Sequence, residues 1–351
     1  MKRTSLPQNL IAATAVAVSI ALTSAPALHG QCVSGLGVTP VQAGTQNFGL
    51  TSISQDFTTM VSASTADAAP PVSVPAFTKA IVSGTGVWAL PVTAPGYEYD
   101  PIYRLTLQPT QNPGAYEIMY QTQGFNLPPT AVTDLFSAGG TAWAISNGQI
   151  YNIAAAKGTG AAASFKGRIE GATSDGTYAW FSTSLGSLVK INLATGTYAG
   201  TVTISDAALG SMSFNGDHLW VAQGQNLLEV DPQSGTNLGP VQFGGSISSV
   251  IFDGVYLWIG NGEKAGLQKY DIHGLGFAGD LTPGGSGYGA LTFDGAAISA
   301  YSFSSPVVTK VRACDMHQYP STSLPAAPIS AVFDGMHTWA FYANKGMISI
   351  R

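Results

Sequence analysis

The 351-residue sequence carries 14 Lys and Arg against 19 Asp and Glu, a formal net charge of −5. Only 9% of it is charged, against roughly 25% in an average soluble protein, so no basic stripe is available for phosphates and nucleic acid is excluded as a partner. At 45% hydrophobic residues the chain is too apolar for disorder, and its 42 glycines and 20 prolines, set among short apolar runs, suit many strands and turns.

The first element in chain order is an export signal over residues 1–27. Lys2 and Arg3 form a short positive region, residues 10–22 are uncharged and largely apolar, and Ala25 and Ala27 are the small residues that precede cleavage. The apolar run is too short for a membrane span, and no later segment reaches the necessary length. Cys32 follows His29-Gly30-Gln31, a poor match to a lipidation site. The mature protein is therefore expected to be soluble and secreted or periplasmic, with 12 basic against 19 acidic side chains once Lys2 and Arg3 are removed. Cys32 and Cys314 are the only two cysteines. In an oxidising compartment such a pair predicts one disulfide, and no Cys/His cluster suggests a zinc site.

Residues 28–76 form an N-terminal segment. Two stretches, 47–54 and 57–63, have the composition of strands, and residues 65–76, with Pro70, Pro71 and Pro75, read as a linker.

A repeat of about forty residues then runs from 77 to 351. All six tryptophans, Trp88, Trp143, Trp180, Trp220, Trp258 and Trp339, share one register, with Ser299 in the place of a seventh. Four residues before each lies a glycine: Gly84, Gly139, Gly176, Gly216, Gly254, Gly295 and Gly335. In the last five copies that glycine follows Asp175, Asn215, Asp253, Asp294 or Asp334. Such Asp-Gly pairs favour two-residue hairpin turns because glycine accepts positive φ. Each copy reads as four short strands. The whole predicts an all-β, seven-bladed β-propeller of four-stranded blades. The last copy has residues for only three strands, and an N-terminal strand from residues 33–64 is expected to close it and cover the open edge.

The pattern Phe-Asp-Gly-x-x-x-Trp, followed by a strand such as Val307-Val-Thr-Lys-Val-Arg-Ala-Cys-Asp315, resembles the bacterial YVTN and NHL-like propeller repeats. It is more distantly similar to streptogramin lyases and gluconolactonase-type hydrolases. The resemblance implies the fold, and such folds host many unrelated activities.

The tryptophans could serve as sugar platforms, but their common place on second strands assigns them to packing between blades. The Asp-Gly aspartates are accounted for by turn chemistry rather than by calcium. His218 and His337 occupy the same repeat position in blades four and seven, too far apart to share an ion. The innermost strands of blades four to seven hold no carboxylate or histidine, and blades one to three add only Lys79, Asp134 and Glu170. Neither the oxygen ligands of a metal-dependent lactone hydrolase nor the base of a lyase is visible. No cofactor is implied.

The largest departure from the repeat is in blade one, whose extra residues fall mainly between Pro91 and Pro101. This loop gathers Tyr97, Glu98, Tyr99 and Asp100, with Tyr103, Arg104, Tyr116 and Tyr120 on the strands behind. It reads either as decoration of its own blade or as a recognition surface, since loops carry function and tyrosine offers contact area with a polar tip. The resulting expectation is an exported, non-catalytic binding or scaffold module for a glycan, peptide or cell-surface protein. A propeller enzyme, either a lyase or a lactone hydrolase, is the alternative.

Overall fold

The computed structural model describes residues 77–83, 86–91, 102–109, 116–123, 132–153, 161–262, 266–272, 276–281, 287–324, 326–335, 337–342 and 348–350. Seven antiparallel sheets follow one another along this chain. The first sheet holds β1 (Phe77–Ser83), β2 (Gly86–Pro91), β3 (Ile102–Pro109) and β4 (Tyr116–Gln123). The second holds β5 (Val132–Ala138), β6 (Thr141–Ser146), β7 (Gln149–Asn152) and β8 (Ala163–Ser164). In the third are β9 (Ile169–Ser174), β10 (Tyr178–Thr183), β11 (Ser187–Asn192) and β12 (Thr197–Thr203). The fourth contains β13 (Met212–Phe214), β14 (Leu219–Gln223), β15 (Asn226–Val230) and β16 (Asn237–Gln242). β17 (Ile247–Phe252), β18 (Tyr256–Asn261), β19 (Leu267–Asp271) and β20 (Gly276–Leu281) make the fifth. The sixth consists of β21 (Tyr288–Phe293), β22 (Ala297–Ser302), β23 (Val307–Arg312) and β24 (Thr322–Ser323). The last has only β25 (Ser330–Phe333), β26 (Thr338–Phe341) and β27 (Ile348–Ile350).

Within every sheet the strands pair in sequence order. The first strands, β1, β5, β9, β13, β17, β21 and β25, touch one another in turn, and β25 returns to β1. They form the inner wall of a ring. Ser330 on β25 joins its ends, accepting from Ala80 N and donating to Ala80 O, both at 3.2 Å. The expectation of seven four-stranded blades is corrected. Among the described residues, six sheets have four strands and the last has three. The proposed closing strand in residues 33–64 lies outside the described residues.

Each tryptophan is buried against the following sheet. Trp143 packs on Phe181 edge to face at 5.6 Å, Trp180 beside Leu219 and Val221, and Trp258 beside Ile298 and Val311. Trp339 reaches across the closure to Phe77 and Val87. At Ser299 no ring is available; Tyr301, two residues on, packs instead with Ala340 and Tyr342 of the last sheet. The predicted packing role is thus seen directly.

The Asp-Gly turns do more than reverse the chain. Oδ1 of Asp253 accepts from Val255 N and Tyr256 N, while Oδ2 accepts from Trp258 Nε1 at 2.7 Å. Asp175 and Asp334 serve Trp180 and Trp339 in the same way. In the first two sheets the indole donates to a backbone carbonyl, Ser83 O or Ala138 O. Asp294 has no tryptophan to serve and takes Lys310 Nζ at 2.6 Å. Asn215 spends its one side-chain oxygen on Asp217 N and His218 N, and the buried Trp220 Nε1 has no partner.

A second regularity was not read from the sequence. The residue facing each tryptophan on the third strand is often a cation, as in the pairs Trp88–Arg104, Trp180–Lys190 and Trp258–Lys269. Lys190 Nζ lies 5.2 Å from the Trp180 ring and Lys269 Nζ 5.3 Å from that of Trp258. These are cation–π contacts, and they consume several of the few basic residues in the fold.

Candidate functional site

Lys79, Asp134 and Glu170 stand near the starts of β1, β5 and β9, on the inner wall. A bulge at the start of each of these strands breaks the pairing register there. Such bulges re-aim side chains. Lys79 Nζ meets Asp134 Oδ1 at 2.6 Å, bridging the first two sheets, and lies 3.5 Å from the centre of the Phe136 ring. Glu170 accepts from Arg168 Nε at 2.7 Å and from its Nη2 at the same distance. The places corresponding to Lys79 and Asp134 in the remaining sheets hold Gly171, Ser211, Ser249, Ala290 and Ser330, and Glu170 is the bulged residue beside Gly171. Among the described residues of the inner strands, the charged side chains therefore fall in blades one to three.

Burial pushes the Lys79 ammonium below its ordinary pKa, and the Asp134 and Glu170 carboxylates offset part of that effect. A lysine held this way, over an aromatic face and against a carboxylate, is a positioned donor that can exchange partners with a polar ligand. Lys79 and Asp134 remain partly exposed, at 31% and 26% of their side-chain surface, so a ligand in the mouth can reach them. The sequence named these three residues, but it did not show that Lys79 and Asp134 meet.

No protein-family model matches the chain, and no curated protein matches it. Among solved structures, one chain in a crystal structure of the mitotic checkpoint complex resembles it with a TM-score of 0.54 and 14% identity, over 62% of this chain and 72% of that one. At that identity the resemblance shows the fold alone, and it agrees with the closed succession of radial sheets.

The chain is a β-propeller.

Other residues singled out from the sequence fall in different places in the propeller. Tyr97, Glu98, Tyr99 and Asp100 lie outside the described residues, as does His273. Tyr103 is buried and packs edge to face on Phe77 at 5.7 Å, and Arg104 lies over Trp88. Both serve the core rather than a surface. His218 Nδ1 is 3.0 Å from Glu229 Oε1, and His337 Nδ1 is 3.7 Å from Asp334 Oδ2 in its own turn. His317 packs on Tyr319. Among the described residues, no group of three or more His, Cys, Asp or Glu could hold a metal ion, and no helix is long and apolar enough to cross a membrane.

Cys314 lies in the turn after β23, which is braced from the neighbouring blade. The buried Lys269 donates to Ala313 O at 2.6 Å and to Cys314 O at 3.3 Å. Burial lowers the Lys269 pKa against the pull of Asp253 and Asp315. Arg312 Nε donates to Asp315 Oδ1 at 2.8 Å, and this hydrogen bond leads the effects that hold the Asp315 carboxyl at about 2. A carboxyl whose folded pKa is depressed stabilises the fold above its unfolded value, and that contribution is lost as pH falls through the folded value. Asp315→Asn is therefore expected to flatten the loss of thermal stability between about pH 4 and pH 2. Melting temperatures of the two proteins across that range test this; parallel curves would refute it.

Proposed function

We propose that this propeller is an exported, non-catalytic binding module whose recognition surface is the channel mouth on the side of blades one to three. The supporting observation is that, among the described residues of the inner strands, the charged side chains Lys79, Asp134 and Glu170 fall in blades one to three. Pro91, which begins the long blade-one loop, pairs with Phe77 at the start of β1. The loop carrying Tyr97, Glu98, Tyr99 and Asp100 therefore departs from the same end of the blade as Lys79. Such a surface suits a glycan, a peptide or a neighbouring surface protein, with tyrosine rings stacking and charged groups hydrogen-bonding. The finer reading of the fold as a YVTN- or NHL-like ring whose last sheet is completed by an N-terminal strand, following a signal peptide at 1–27, belongs to the same proposal.

The test is a glycan and peptide binding screen, followed by the paired variant Lys79→Met/Asp134→Asn. This variant keeps the side-chain volumes and removes both charges. Binding is expected to weaken by at least about tenfold, equivalent to 1.4 kcal/mol, while the melting temperature changes little. Replacing Tyr97, Glu98, Tyr99 and Asp100 with Ala and Ser is expected to have the same outcome. Undiminished binding by both variants would overturn this placement of the site.

A Cys32–Cys314 disulfide would tether the N-terminal segment to the turn after β23, and no free cysteine is present among the described residues. Peptide mapping without reduction is expected to recover the Cys32–Cys314 pair. Two free thiols in the exported protein would refute it.

A further inference from the structure

Five turns in the ring share one design, and one of them is chemically different. At Asp175 and Asp253 a carboxylate offers two oxygens, one for two backbone N–H groups and one for the buried indole, and at Asp334 one oxygen takes His337 N and the other the indole. At Asn215 a carboxamide offers one. Its Oδ1 accepts from Asp217 N at 2.9 Å and His218 N at 2.8 Å. Trp220, 1% exposed, keeps an Nε1–H with no acceptor. A buried donor in that state has given up its bond to water with no bond in return.

We propose that Asn215–Gly216 is a self-modifying site, at which the folded chain deamidates Asn215 to Asp and so creates the acceptor that Trp220 lacks. The backbone nitrogen of Gly216 bonds to Asn215 Cγ and loses its proton to water. The tetrahedral centre expels the side-chain nitrogen as ammonia, leaving a five-membered cyclic imide. Water then adds across the new N–Cγ bond, restores the Gly216 N–H and leaves a carboxylate at 215. One amide and one water become one carboxylate and one ammonium ion, and no oxidant or metal is needed.

Three features favour this reaction at this turn. The negative charge of the tetrahedral centre develops on Oδ1, where the Asp217 and His218 N–H groups already point; two preorganised donors act as an oxyanion hole. The next residue is glycine at φ 106°, with nothing within 4 Å of where a Cβ would stand, so no side chain obstructs the attack. The turn is also open to water, since Gly216 and Asp217 are exposed. Other asparagines have only part of this set. Asn192 has the two donors, Ala194 N and Thr195 N, but is followed by Leu193. Asn147 precedes Gly148, but its carboxamide makes no such bonds. Asn261 precedes Gly262 but is buried. At the four aspartate turns the side chain is an ionised carboxylate, a poor electrophile.

The experiment is to incubate the folded protein at mildly alkaline pH and map its peptides by mass spectrometry, separating aspartate from isoaspartate. Conversion of Asn215 is expected on the order of tenfold faster than that of Asn147 or Asn192, with aspartate as the main product. The aged protein should melt higher than the fresh one and match an Asn215→Asp variant, and its Trp220 indole N–H should exchange more slowly with deuterium. Asn215→Gln, whose imide ring would be six-membered, should keep its amide. Preferential conversion of Asn147, an unchanged Asn215, or mainly isoaspartate with a lowered melting temperature would each overturn the proposal.

Discussion

Trp143→Ala is expected to destabilise the propeller by about 3–5 kcal/mol, the cost of removing a large aromatic side chain from a core that cannot collapse around the gap. Trp143 is completely buried, touches Phe181 of the next blade at 5.6 Å and donates to Ala138 O at 3.2 Å. The lost ring lies between two sheets that are each tied to further neighbours, so closing the cavity would require displacing one blade against the ring. Denaturant unfolding should show a lower midpoint. Leu238→Ala, on an outermost strand and 52% exposed, should change stability by no more than about 0.5 kcal/mol. Equal effects for the two substitutions would contradict the inter-blade role of the tryptophans.

Gly186→Ala is expected to cost more than about 3 kcal/mol, through backbone strain combined with a clash. Gly186 has φ 77°, and a Cβ there would stand 1.9 Å from Ser205 O and 2.9 Å from Ala207 O. These are backbone atoms. They cannot rotate away, because Ile204 N and Ser205 N both donate to Gly186 O. Gly224 separates the two contributions. It too has positive φ, at 58°, but nothing lies within 4 Å of its missing Cβ. Gly224→Ala should therefore show strain alone, about 1 kcal/mol. Comparable losses in the two variants would show that the close approach to Ser205 contributes nothing.

The local chemistry of the repeat was legible because each part acts within a few residues of itself. The Asp-Gly turn, the tryptophan five residues after the aspartate and the short strands between glycines can all be found by sliding one copy along another. The orphan at Trp220 is a consequence of this order. Asn215 is visible in the sequence, but the cost of its single oxygen appears only when the indoles of the sister blades are seen donating to a second one. The blade count was less secure. Copies can be counted in sequence, whereas strands in a blade depend on which edge finds a partner, and β27 ends a three-stranded sheet.

What the sequence determined by itself, then, was an all-β ring of repeated four-stranded units with tryptophans between them, since turn geometry and strand alternation are properties of neighbouring residues. Only the tertiary structure decided which distant side chains meet. Lys79 and Asp134 are separated by more than a blade of sequence but come within 2.6 Å, because the ring sets the starts of successive inner strands side by side. Lys269, on the third strand of its blade, reaches the carbonyl of Cys314 in the next blade, 45 residues away. A charge on one blade is stabilised by what the next blade presents to it, and that pairing depends on ring curvature and strand register, which no single repeat encodes.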